Sequence, residues 1–78
     1  MICVATFYTH AAALLTHRTL TANGIAAKMM PVPRAISSSC GTCVRYEADT
    51  PCYEWLDRDV EQVAEQTADG YRILKSFE

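Results

Sequence analysis

Thr50-Pro51-Cys52-Tyr53-Glu54-Trp55-Leu56-Asp57-Arg58-Asp59-Val60-Glu61-Gln62-Val63-Ala64-Glu65-Gln66-Thr67-Ala68-Asp69-Gly70 is the stretch on which the fold turns. Its opening reads as a helix start, with Thr50 as the N-cap and Pro51 at the first helical position, where a missing N–H costs nothing. Leu56, Val60, Val63, Ala64 and Thr67 then share one face at helical spacing, while Asp57, Glu61, Glu65 and Asp69 lie largely off it as an acidic exterior. Gly70 ends the helix. This reading predicts a second helix filling the segment and leaves Tyr71 to Phe77 as the last strand.

Working outward, Ile2 to Tyr8 is rich in β-branched and aromatic residues on both alternating sets, which suits a central strand covered on two faces. Thr9 is an N-cap before the helix-favouring run His10-Ala11-Ala12-Ala13-Leu14-Leu15, and Asn23-Gly24 supplies a stop, so helix one spans roughly His10 to Ala22. Its polar face is threonine-rich rather than charged, which leaves a Leu15-linked and a Leu20-linked row as alternatives for the buried stripe. Ile25 to Val32 is extended again, and Pro31 and Pro33 mark its end as an edge because they remove ladder donors. Cys43-Val44-Arg45-Tyr46-Glu47 is the third strand. The order βαββαβ predicts an α+β fold of ferredoxin-like plan, a four-stranded antiparallel sheet of spatial order 4-1-3-2 with two helices on one face. That order places His10 and Cys40 at one end, and Cys3 and Cys52 at the other.

Between strands two and three lies Pro31-Val32-Pro33-Arg34-Ala35-Ile36-Ser37-Ser38-Ser39-Cys40-Gly41-Thr42-Cys43, a run that no packing period explains. Two thiols, a guanidinium and three serine hydroxyls gather there, with Arg45 just beyond. Pro-Val-Pro-Arg followed by Ile-Ser-Ser-Ser-Cys-Gly and then an arginine resembles the Se/S carrier protein-like family of small domains, a likeness that runs from the first strand to about Glu47. The resemblance implies a similar fold and a chain that carries sulfur or selenium.

The totals bound the possibilities. Seventy-eight residues, half of them hydrophobic, make one globular domain, 1–78, close to the size below which a lone core needs a staple or a second copy. A homodimer is therefore one expected partner state. The net charge of -2 argues against nucleic acid as the main partner. No apolar run has the length of a membrane span, and Met1 leads into strand one without a signal-peptide pattern, so a cytoplasmic location with free thiols is expected rather than a disulfide framework.

Cys40-Gly41-Thr42-Cys43 admits three meanings: a dithiol redox pair, half a zinc site, or a carrier thiol with a neighbour. A thioredoxin-like pair opens a helix, whereas Val44, Arg45 and Tyr46 continue here as strand. Zinc takes four ligands, and Cys40, Cys43 and His10 are the only ones at hand without a second copy. A carrier needs an accessible thiol with stabilised thiolate. Cys40 has Gly41 to turn N–H groups toward it, Ser37, Ser38 and Ser39 as hydroxyl donors, and Arg34, Arg45 and His10 as candidate cations, with Cys43 able to attack or release the carried atom. Cys3 and Cys52 read as structural, and His17 as a surface or satisfied histidine. No Ser-His-Asp set, paired-carboxylate signature or phosphate-cradling loop is present, so the chain reads as a carrier working with a sulfur- or selenium-donor enzyme and an acceptor protein, without a cofactor. The alternatives from other classes are a metal-binding or redox-sensing module on Cys40 and Cys43, and a dimeric adaptor without thiol chemistry.

Overall fold

The computed structural model of the chain describes residues 1–77. The chain forms β1 (Ile2–Phe7), α1 (His10–Ala22), β2 (Ala26–Pro31), β3 (Thr42–Glu47), a single 3-10 turn (Tyr53–Trp55), β4 (Val60–Thr67) and β5 (Gly70–Ser76). The strands make one sheet in the order β2-β3-β1-β4-β5, every neighbouring pair antiparallel. β1 is central and buried on both faces.

The first half follows from local chemistry. The Thr9 hydroxyl accepts from the Ala12 N–H at 3.1 Å, satisfying one of the unpaired donors that every helix start leaves. The helix ends at Ala22, and Asn23 caps it. Ala12, Ala13, Thr16 and Leu20 are its buried row, while Leu15 is 51% exposed, so the Leu20-linked alternative is the one realised. Small residues in that row let the helix lie close on Cys3, Ala5 and Phe7 of β1, Val44 and Tyr46 of β3 and Val63 of β4, which form the main core.

The second half departs from expectation. The ferredoxin-like βαββαβ plan with four strands and two helices is replaced by five antiparallel strands and, among the described residues, one α-helix. Helix two fails at its first turn. Cys52 adopts the left-handed conformation, φ 54° and ψ 42°, which a right-handed helix cannot contain. The Pro51 carbonyl, which a helix would commit to residue 55, instead accepts from the Tyr46 hydroxyl, and Trp55 N–H turns back to the Cys52 carbonyl at 3.0 Å. β3 and β4 both run antiparallel to β1, so residues 48–59 must cross the length of the sheet, and they do so beside α1. Tyr53, Trp55 and Leu56 pack there against the main core, half-buried, and the Asp57 N–H donates to the buried Thr16 hydroxyl at 2.9 Å.

The remainder of the predicted helix is β4, which occupies the place beside β1 that the last strand was expected to take. A bulge explains the misleading spacing. β4 pairs Thr6 with Gln62 but Phe7 with Val60, so Glu61 is an extra residue. With it, Val60 and Val63, three apart and therefore on opposite faces of a regular strand, both join the main core. Gly70, at φ 133°, then starts β5, and this last strand pairs with β4 at the sheet edge. No helix among the described residues is long and apolar enough to cross a membrane.

Candidate functional site

The site is built on the face of the sheet opposite α1. After β2 the chain does not turn directly into β3. Residues 32–41 fold back across that face, beginning with a turn closed by the Ile36 N–H on the Pro33 carbonyl at 3.0 Å. Ile36 is the apolar pin of this loop, buried against Val4 of β1, Cys43 of β3 and Ala64 of β4. The loop mouth is closed by the Val32 N–H on the Gly41 carbonyl at 3.1 Å, and Gly41 takes φ 75°, a conformation that residues with a Cβ rarely adopt.

Cys40 lies at the exposed end of this loop and is half-buried, whereas Cys3, Cys43 and Cys52 are buried. Its thiol donates to the Thr42 carbonyl at 3.5 Å, and the Thr42 hydroxyl is 3.3 Å from His10 Nδ1. Thr42 therefore links the Cys40 thiol to the first residue of α1, so His10 and Cys40 share an end of the sheet. Cys43, the other member of the pair, donates to the Pro31 carbonyl at 3.7 Å inside the second core cluster. Burial, with a smaller contribution from neighbouring Cys40, pushes its thiol up to about 11, so it is neutral near pH 7. No helix begins at Cys40 to polarise it, because Thr42 is already the first residue of β3.

The other predicted site residues separate. Arg34 is exposed in the turn after Pro33. Arg45 donates through Nε to Gln66 at 3.3 Å, four residues along β4 from Gln62, or roughly 13 Å down the strand, which directs its guanidinium away from the loop. The hydroxyls of Ser38 and Ser39 are committed elsewhere. Ser38 donates its hydroxyl to Glu61 Oε1 at 3.3 Å, Ser39 donates its N–H to the same oxygen at 2.9 Å and its hydroxyl to Oε2 at 2.8 Å, and the Ser37 carbonyl accepts from Gln62 Nε2 at 2.8 Å. Glu61 and Gln62 are thus the loop contacts that reading the stretch as a helix hides; once Glu61 is recognised as the bulged residue, their joint approach to the loop follows. Beneath the loop, opposite both Cys43 and Gln62, the buried Thr6 hydroxyl has no hydrogen-bond partner among the described residues.

A second group of thiols sits at the other end of the molecule. Cys3, Cys52 and Tyr46 share the main core, and burial raises both the Cys3 thiol and the Tyr46 phenol above their ordinary values. His17 Nε2 is 3.2 Å from the Ala27 carbonyl, a satisfied histidine on the helix flank. Among the described residues no three His, Cys, Asp or Glu side chains gather to hold a metal ion, so Cys40, Cys43 and His10 do not form the zinc alternative.

A family model described as "Putative Se/S carrier protein-like" matches residues 2–66. The chain belongs to this family. The match of this Se/S carrier-like chain extends past Glu47, where the sequence likeness was expected to fade, through the crossover and most of β4, so it includes Glu61 and Gln62 as well as the thiol loop. β5 lies outside it. No curated protein and no solved structure matches the chain.

Proposed function

We propose that this protein carries sulfur or selenium covalently on Cys40, as a persulfide or perselenide. The observation that carries the reading is the distribution of its thiols: within a family described by Se/S carriage, Cys40 alone of the four cysteines is not buried. In the loading step, the Cys40 thiolate attacks the terminal sulfur of a donor protein's persulfide. The donor's S–S bond breaks, its electron pair leaves with the donor cysteine as thiolate, and a new S–S bond joins Cys40 to the transferred atom. No oxidant or reductant is consumed. Delivery is the same exchange with an acceptor thiol as attacker, and a selenium atom follows the same balance. The neutral, buried Cys43 supports a carrier that uses one thiol rather than a dithiol pair. A reducing compartment such as the cytoplasm suits this chemistry, because it keeps the receiving thiol free.

The test is intact-mass measurement after incubation with a cysteine desulfurase and its substrate. The expected product is one added sulfur atom per chain, mapped to the Cys40 peptide, removed by a small thiol and absent from Cys40→Ser. Loading that is unchanged in Cys40→Ser would overturn the proposal.

A further inference from the structure

Residues 37–40 make no backbone-to-backbone hydrogen bond among the described residues; the two within the loop are Val32 to Gly41 and Ile36 to Pro33. What orders this leg is a pair of consecutive side chains on a neighbouring strand, Glu61 and Gln62. In a regular strand consecutive side chains point to opposite faces, and the bulge at Glu61 turns both onto the loop. The match between donors and acceptor is specific. An ionised carboxylate only accepts, and Glu61 meets three donors, with Ser39 held through both its N–H and its hydroxyl on the two oxygens of one group. Ser39 immediately precedes Cys40.

We propose that Glu61 is a positioning residue for Cys40: its carboxylate fixes Ser39 and thereby sets the orientation in which the Cys40 thiol meets a partner's persulfide. This rests on the carrier reading of Cys40. A persulfide exchange requires three sulfur atoms to line up, so a thiol on an unfixed serine-rich leg collides with small reagents as well as before but reaches a protein-bound sulfur in the correct direction less often. Glu61 therefore acts on transfer between proteins and not on exposure of the thiol.

The experiment measures two rates at Cys40 in the full chain, alkylation by iodoacetamide and sulfur transfer from a persulfide-loaded cysteine desulfurase, for the wild type, Glu61→Ala, Glu61→Gln and Ser39→Ala. Glu61→Ala is expected to leave alkylation unchanged or faster and to slow transfer about tenfold, equivalent to about 1.4 kcal/mol of lost positioning. Glu61→Gln retains an oxygen for Ser38 and the Ser39 N–H and can donate its amide to the Ser39 hydroxyl, so it restores most of the rate, and Ser39→Ala falls between. Transfer at the wild-type rate in Glu61→Ala overturns the proposal while leaving the carrier reading intact, and so does an equal fall in both rates. A wild type that takes up no sulfur removes the carrier reading instead. Hydrogen exchange at the Ser39 amide then reads the clamp without any transfer: exchange quickened in Glu61→Ala but not in Glu61→Gln supports it, and unchanged exchange overturns it.

Discussion

Replacing Cys43 with alanine should change how stability depends on alkaline pH. Burial raises the Cys43 thiol from about 9 in the unfolded chain to about 11 in the folded protein, which favours its neutral form in the fold. Below pH 9 both states hold the proton and the full stabilisation is present. As pH rises from 9 the unfolded state loses its proton first, so stability falls with a negative slope until the folded thiol also ionises near 11. At about 1.36 kcal/mol per pH unit, that interval is worth at most about 2.7 kcal/mol. Cys3 and Tyr46 are raised in the same direction and contribute their own alkaline loss, so the informative quantity is the difference between wild type and Cys43→Ala. Urea unfolding under reducing conditions, repeated from neutral to strongly alkaline pH, should show the wild type losing up to about 2.7 kcal/mol more than the variant. A difference that stays constant across the range would refute the inference that Cys43 is held neutral by burial, and with it the argument against a working dithiol pair.

The helix makes a simpler prediction: Leu20→Ala should cost about 2–5 kcal/mol in chemical unfolding, and Leu15→Ala less than about 0.5, because only Leu20 reaches the core. Gly70→Ala forces a Cβ into a conformation at φ 133° and should cost more than about 1 kcal/mol, read as a melting temperature lowered by at least about 4 °C; an unchanged Tm would argue against the β4–β5 turn described above. Because its side chain is engaged with Gln66, Arg45→Ala should leave the alkylation rate of Cys40 within about twofold of wild type, and a larger slowing would put the guanidinium back beside the thiol.

Where residue type alone decided local structure, the sequence was legible. The Thr9 cap, the alanine run and Asn23-Gly24 delimit α1 because each satisfies or ends the backbone ladder locally. Pro31 marked β2 as an edge for the same kind of reason, and β2 is an edge strand. Residues 60–67 were illegible because two signals agreed on the wrong answer. Glu, Gln and Ala favour helix, and a bulged strand reproduces the three-residue spacing of a helical stripe. What overrode them was tertiary: residues 60–67 pair with β1 on one side and with β5 on the other, ladder contacts that residue preference and spacing do not register. In the site, Cys40 as the least buried thiol was readable from its loop, whereas the destination of the Ser38 and Ser39 hydroxyls depended on Glu61, whose approach follows from a bulge that no local pattern announces.

The central position of β1 also bears on how the molecule is made. β1 precedes both of its partners in the chain: its ladder to β3 cannot be complete until Glu47 has been made, and its ladder to β4 waits for the strand that ends at Thr67. Ile2–Phe7, apolar on both faces, spends that interval with a ladder edge open. Non-local pairing of this kind slows folding, and an open apolar strand is a site for misassociation while it lasts. The local α1 hairpin with β2 and β3 can mature early, but closure of the sheet around β1 is a late event, and the thiol loop, which rests on β1 and β4 together, can take its final form only after it.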